Sequence, residues 1–164
     1  MSLAPDGSET PPTEGPALST LPSSGRLLAV DWGERRIGLA VTDETQTLAS
    51  PLATLTRRVG KRFPMPALQI HLDAQQPVGL LIGLPLDSSG NDGASAIEAR
   101  EMADLLGRRT GLPLLLWDER MSTARALAAI REQGGSTRGR KEDVDSLAAA
   151  IFLQHFLDAR RLQR

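Results

Sequence analysis

Leu27-Leu28-Ala29-Val30-Asp31-Trp32-Gly33-Glu34-Arg35-Arg36-Ile37-Gly38-Leu39-Ala40-Val41-Thr42-Asp43 is the stretch on which the reading of this chain turns. A short apolar run ends on an aspartate, a glycine allows the chain to turn, and a second apolar run follows from Ile37 to Val41. Runs of this length bounded by turn residues predict two adjacent strands joined by a tight turn. Beyond them, Leu48 to Leu55 is a third extended segment that completes a meander. Arg57, Arg58, Lys61 and Arg62 then mark an exposed basic connection.

Helical spacing begins after that connection. Met65, Leu68 and Leu72 stand at i, i+3 and i+7, and Pro77 ends the helix. Val78-Gly79-Leu80-Leu81-Ile82 is continuously apolar, as a strand covered on both faces must be. Asn91 and Asp92 are candidate caps for a helix running to about Arg109, with Gly111 and Pro113 as stop signals. Leu114-Leu115-Leu116-Trp117 reads as a second buried strand. Ser122 is placed to cap a short Ala-rich helix to about Arg131, and Gln133 to Thr137 reads as a flexible loop. The last helix carries Val144, Leu147, Ala148, Ile151, Phe152 and His155 at i, i+3, i+4, i+7, i+8 and i+11. Three meander strands, helix, strand, helix, strand and further helices predict an α/β protein with a mixed five-stranded sheet flanked by helices. That order resembles the ribonuclease H-like fold.

Composition sets the outer bounds. With 164 residues, 40% of them apolar and 24% charged, the chain has the balance of one soluble globular domain. Residues 1–25 hold five of the eleven prolines among Ser, Thr, Gly and acids, with no structural period, and read as a disordered tail. The domain is expected over residues 26–164. No apolar stretch is long enough to span a bilayer and no secretory pattern opens the chain, so the expected location is the cytoplasm, away from membranes. Cysteine is absent and the two histidines lie 84 positions apart, which excludes disulfides, thiolate chemistry and zincin-type sites. Any metal must therefore use oxygen ligands.

The net charge of −1 conceals an uneven distribution. The tail carries −3, whereas Arg120 to Arg164 holds nine basic and five acidic residues, a bias that suits a phosphate-rich partner. Against this background, acids stand where apolar elements stop: Asp31 after the first strand, Asp118 and Glu119 after the last, and Asp145 in the first turn of the last helix. Each alone has an ordinary explanation as a turn, strand-exit or helix-dipole residue. Gathered at one rim, their mutual repulsion would demand cations. Mg²⁺ or Mn²⁺ takes such oxygen ligands and works beside substrate phosphate. Two such ions about 3.5–4 Å apart would activate water and stabilise the leaving oxygen of a phosphodiester. Asp118 and Glu119 are neighbours on an extended segment and point to opposite faces, so spacing leaves both open.

Four blocks in register resemble one family. They are Asp31 to Asp43; Gly83-Leu84-Pro85-Leu86-Asp87 with Gly90; Asp118-Glu119-Arg120-Met121-Ser122-Thr123; and Lys141 through Asp145-Ser146 with Ala148-Ala149. The match, over residues 26–158, is similar to the YqgF/RuvX family of RuvC-like Holliday junction resolvases, also assigned to processing the 5′ end of 16S ribosomal RNA precursor. The resemblance implies a metal-dependent endonuclease with Asp31, Glu119 and Asp145 as its catalytic and metal-holding acids. Glu142, one helical turn before Asp145, is an additional candidate ligand, similar to the paired acids of the last RuvC helix.

The surrounding basic and polar residues are candidates for nucleic-acid contact. Arg35 and Arg36 leave the turn beside Asp31, Arg120 and Thr123 adjoin Glu119, and Arg138, Arg140 and Lys141 follow the glycine-containing loop. Gly38 serves either close phosphate approach or tight packing. Trp32 and Trp117 read as packing residues, because five aromatics in the chain argue against base stacking. The expected partner is precursor 16S rRNA or branched DNA. A junction resolvase would work as a homodimer, placing two sites symmetrically on the branch, whereas an RNA-trimming enzyme can be monomeric. A non-catalytic module binding rRNA or a junction is the alternative. Sugar kinases, actin and chaperone ATPases also place Asp-x-Gly after a first strand, but they need a second lobe for which this chain lacks the length.

Overall fold

The computed structural model describes residues 20–33, 35–57, 63–85, 93–118 and 141–163, with the side chains of 141–143 left aside. Its elements are β1 (Leu27–Trp32), β2 (Arg36–Thr42), β3 (Ala49–Thr56), α1 (Met65–Gln75), β4 (Gly79–Leu84), α2 (Ala94–Thr110), β5 (Leu114–Asp118) and α3 (Lys141–Leu162). The strands form one sheet in the order β3-β2-β1-β4-β5. β1, β2 and β3 pair antiparallel as the expected meander, and β4 and β5 extend the sheet parallel to β1. β3 closes one edge. Its Pro51, which cannot donate to a ladder, sits where the pairing with β2 shifts register between Leu39 and Ala40, a position edge strands tolerate.

Alternation along the central strands feeds two cores. Leu28, Val30, Trp32, Ile37, Leu39, Leu80 and Ile82 pack with Leu68 and Leu72 of α1 and Met102 and Leu106 of α2. Leu27, Ala29, Ala40, Leu81 and Leu115 pack on the opposite face with Ala149, Phe152, Leu153 and Phe156 of α3. Both sides of β1 and β4 are covered, which is why those segments are apolar throughout.

Composition places residues 20–25 in the tail, yet Leu21 is 2% exposed and its carbonyl accepts a hydrogen bond from Arg160. Packing therefore begins before residue 26, because Gln46 Nε2 also donates to the carbonyls of Pro22 and Gly25, at 2.9 Å each. Residues 1–19 lie outside the described set. Gly93, in an extended conformation, caps α2 without a side-chain hydrogen bond; Asn91 and Asp92 lie outside the described residues. Gly111 closes α2 in the left-handed conformation, as its stop signal predicts (φ 67°). The helix and loop expected between Ser122 and Thr137 also lie outside the described residues.

The stripe of α3 differs most. Leu147, placed on the buried face by apolar spacing, is 44% exposed. The buried face instead runs Asp145, Ala149, Phe152, Phe156 and Arg160, at steps of four, three, four and four. A reading by hydrophobicity skips both polar ends of this stripe. Ala148 and Phe152 of the expected stripe are fully buried, and the face as a whole is rotated by about one residue, roughly 100°, from the apolar spacing.

Candidate active site at the end of the sheet

Chain direction brings the elements of interest to one rim. β1, β4 and β5 run parallel and end at Trp32, Leu84 and Asp118, while antiparallel β2 starts at Arg36 on the same side. Side chains at the carboxyl ends of parallel strands commonly form the ligand crevice of an α/β sheet. Asp31 is the last but one residue of β1 and lies opposite Gly38 of β2, a ladder pair whose Cα atoms are roughly 5 Å apart.

Face assignment follows from the period of two. Leu27 and Ala29 pack toward α3, so Asp31 stands on the α3 face, and so do Arg36 and Gly38, which alternate with Ile37 and Leu39 and share the side of Ala40. Gly38 is the seat of the helix. A Cβ there would run into the backbone carbonyl of Asp145 and come within 3.3 Å of the Ala149 methyl group. Close packing of α3 on β2, not approach to a phosphate, is therefore what the structure shows Gly38 doing. The missing side chain lets α3 lie low enough to bring Asp145 over the strand position that faces Asp31.

Asp145 occupies the second turn of α3, one turn later than expected, and is 1% exposed. A buried carboxylate requires compensation. Arg36 supplies a cation: its Nε donates to Asp145 Oδ2 at 2.5 Å, with the arginine side chain 27% exposed. Arg36, expected to meet nucleic acid, is thus turned inward to an acid of the proposed set, while its neighbour Arg35 is exposed at the rim. Breaking a wholly buried pair costs about 3–5 kcal/mol, and the solvent reaching Arg36 puts this one lower.

Asp118 belongs to the other face. It pairs with Leu84 and shares the parity of Leu114 and Leu116, which pack toward α1 and α2, whereas Leu115 and Trp117 pack toward α3. Glu119, Arg120, Thr123, Arg138 and Arg140 lie outside the described residues, as do the side chains of Lys141 and Glu142. Among the described residues no three acids or histidines gather into a metal-binding group. The described part of the site nevertheless suits a hard divalent cation. Its donors are carboxylate oxygens, and the buried Asp145 carboxylate already holds a positive group.

A second cluster, not anticipated from sequence, braces the same rim from the opposite face. Trp32 stacks on Phe63 with ring centroids 6.1 Å apart, and the Arg57 guanidinium lies 4.3 Å from the Trp32 ring centroid. Glu98 of α2 accepts from Arg57 at 3.0 Å and from Trp32 Nε1 at 3.4 Å. The Arg57 backbone N–H donates to the Arg35 carbonyl at 2.7 Å, tying β3 to the turn beside Asp31. Arg57, just after the third strand, was expected in an exposed basic connection, but its side chain is only 13% exposed because it meets Trp32 and Glu98, and that meeting depends on the sheet. Trp117 packs edge-on against Phe156 with centroids 5.3 Å apart, so both tryptophans act in packing.

The family model for RuvX, described as Holliday junction resolvase, matches residues 25–159. A Koribacter versatilis protein named "Putative pre-16S rRNA nuclease" is 41% identical over 140 residues, covering 85% of this chain and 91% of its own length. Its namesake from Anaeromyxobacter sp. (strain Fw109-5) is 41% identical over 135 residues, covering 82% of this chain and 98% of its own. Among solved structures, "T. thermophilus RuvC in complex with Holliday junction substrate" superposes with a TM-score of 0.51 at 19% identity, over 83% of this chain and 96% of that one. At that identity the likeness is one of fold, and the fold is the ribonuclease H-like one that the element order predicts.

Proposed function

The chain belongs to the RuvX family, and from that premise we propose that it is a metal-dependent endonuclease cleaving phosphodiester bonds in structured nucleic acid. One observation supports this reading above the others: Asp31 and Asp145, 114 positions apart, stand on one face at one end of the sheet. Divalent cations, Mg²⁺ or Mn²⁺, held by Asp31, Glu119 and Asp145 with Glu142 as a further ligand, would supply an activated water and charge stabilisation at the leaving oxygen. The chain's own part is to hold these acids on rigid supports. Asp31 is fixed by the β1 ladder and Asp145 by the seating of α3 on Gly38. Glu119 is preferred to Asp118 because the parity of β5 directs Asp118 toward α1 and α2. Arg35 is exposed at the rim, where a guanidinium meets a phosphate of the backbone, and Arg120, Thr123, Arg138, Arg140 and Lys141 complete the proposed contact set.

The substrate is precursor 16S rRNA, branched DNA, or both, since the names of the relatives point to the first and the description of the family to the second. Purified protein incubated with a labelled four-way junction and with 16S precursor RNA, in Mn²⁺, Mg²⁺ or chelator, separates them. Paired symmetric nicks at the branch identify a junction resolvase acting as a dimer, and cleavage confined to the 5′ side of the precursor identifies an RNA-processing enzyme. Asp31→Asn should lower cleavage at least about a hundredfold without altering the circular dichroism spectrum, because a charged metal ligand contributes several kcal/mol to the transition state. Full activity of that variant would remove the mechanism. Binding without turnover in either metal would leave a non-catalytic module.

A further inference from the structure

The Arg36–Asp145 pair places a guanidinium on the oxygen that the proposed metal site needs. Asp145 is buried to 1% exposure, and Arg36 reaches it from the neighbouring β-strand along the same face, Nε to Oδ2 at 2.5 Å. The two ends of this pair differ. Asp145 is held by α3 against Gly38, whereas the Arg36 side chain is 27% exposed and begins the strand at the rim. The carboxylate is fixed and the cation has room to leave.

We propose that Arg36 is the resident counter-cation of the site: its guanidinium occupies Asp145 Oδ2 until a divalent cation takes that oxygen, so that metal entry and release of Arg36 are a single exchange. The inference rests on the nuclease reading above, in which Asp145 is a metal ligand. Electrostatics require the exchange to be mutual. A guanidinium and a divalent cation on one carboxylate oxygen repel each other across a poorly solvated gap, so each lowers the other's occupancy. The released side chain lies beside exposed Arg35, positioned to meet backbone phosphate as the metal arrives. Arg36 is in these terms a positioning residue: it neutralises the fixed Asp145 carboxylate before metal binds and withdraws from it afterwards.

Mn²⁺ binding to the full chain, followed by electron paramagnetic resonance of the free ion without nucleic acid, tests the exchange. If the guanidinium holds Asp145 about nine-tenths of the time, Arg36→Gln should tighten Mn²⁺ binding about tenfold. Arg36→Lys, a point charge without the planar fork, should fall between this variant and the wild type. A residue that only supports the fold would not shift affinity in that direction. Thermal denaturation supplies the second readout: Arg36→Gln should melt below the wild type without metal and gain more from Mn²⁺ than the wild type does.

Asp145→Asn separates the proposal from its premise. Weaker Mn²⁺ binding by Asp145→Asn, together with equal or weaker binding by Arg36→Gln, overturns the exchange and leaves the nuclease reading standing. Wild-type Mn²⁺ binding by Asp145→Asn removes Asp145 from the metal site, and the exchange falls with it. Should Arg36→Gln fail to fold, Arg36→Lys decides alone: tighter binding than the wild type supports the exchange, and equal or weaker binding overturns it.

Discussion

Gly38 shows how much a single missing methyl group can organise. It faces α3 from the centre of β2, and the backbone of Asp145 fills the space a side chain would take. Gly38→Ala would force α3 off the sheet or bend the strand, and overpacking of this kind costs about 1–3 kcal/mol. The expected outcome is a lower urea midpoint with nucleic-acid cleavage reduced more than the unfolded fraction accounts for, because the displaced helix carries Asp145 away from Asp31. Cleavage that tracks folded fraction alone would leave Gly38 as a packing residue without a part in the site. The sequence presented both roles for this glycine; the contact with Asp145, more than 100 positions on, distinguishes them.

Among the elements, the turn between β2 and β3 and the helix α3 illustrate polar residues whose value lies in their neighbours. Asp43 accepts hydrogen bonds from the Thr45 hydroxyl at 2.7 Å and from the backbone N–H groups of Thr47 and Leu48 at 2.7 and 3.1 Å. The Thr45 hydroxyl first, then the two N–H donors, hold the Asp43 carboxyl below its ordinary value of 3.8. A depressed native pKa stabilises the fold above the unfolded value and ceases to do so as pH falls through the native one. Urea midpoints measured from pH 6 downward should therefore separate wild type from Asp43→Asn at the upper end and converge below about pH 3.8. A constant separation would show that charge at this turn contributes nothing. Gln46 follows in the left-handed region (φ 55°) and accepts a hydrogen bond from Arg160 Nη1 at 2.9 Å, so the turn also anchors the far end of α3.

For the molecule as a whole, two cores divided by one sheet make the site dependent on packing well away from it. Phe152 and Phe156 are fully buried between α3 and the sheet, and α3 carries Asp145 at its other end. Phe152→Ala should cost about 3–5 kcal/mol of global stability, read as a single cooperative shift in thermal or urea unfolding. Loss of the α3 signal alone, with the α1 and α2 face still folded, would show that the two cores unfold separately. Among the described residues no helix is long and apolar enough to cross a membrane.

The five strands, helices α1 and α2, the presence of α3 and the order that makes a mixed sheet were legible in the chain, because apolar runs, helical spacing and turn residues act over a few neighbouring positions. Asp31 and Asp118 were legible for the same reason, each standing at the end of such a run, whereas Asp145 lies one turn further into its helix than its spacing suggests. Folding determined which of them share a face, why Asp118 stands apart from Asp31, and why Arg36 turns inward to Asp145. It also buried Asp145 and Arg160 at the two ends of α3, which apolar spacing excludes from a core. A charged side chain enters an interior when a partner from a distant segment meets it there, and no pattern confined to the helix can record that meeting.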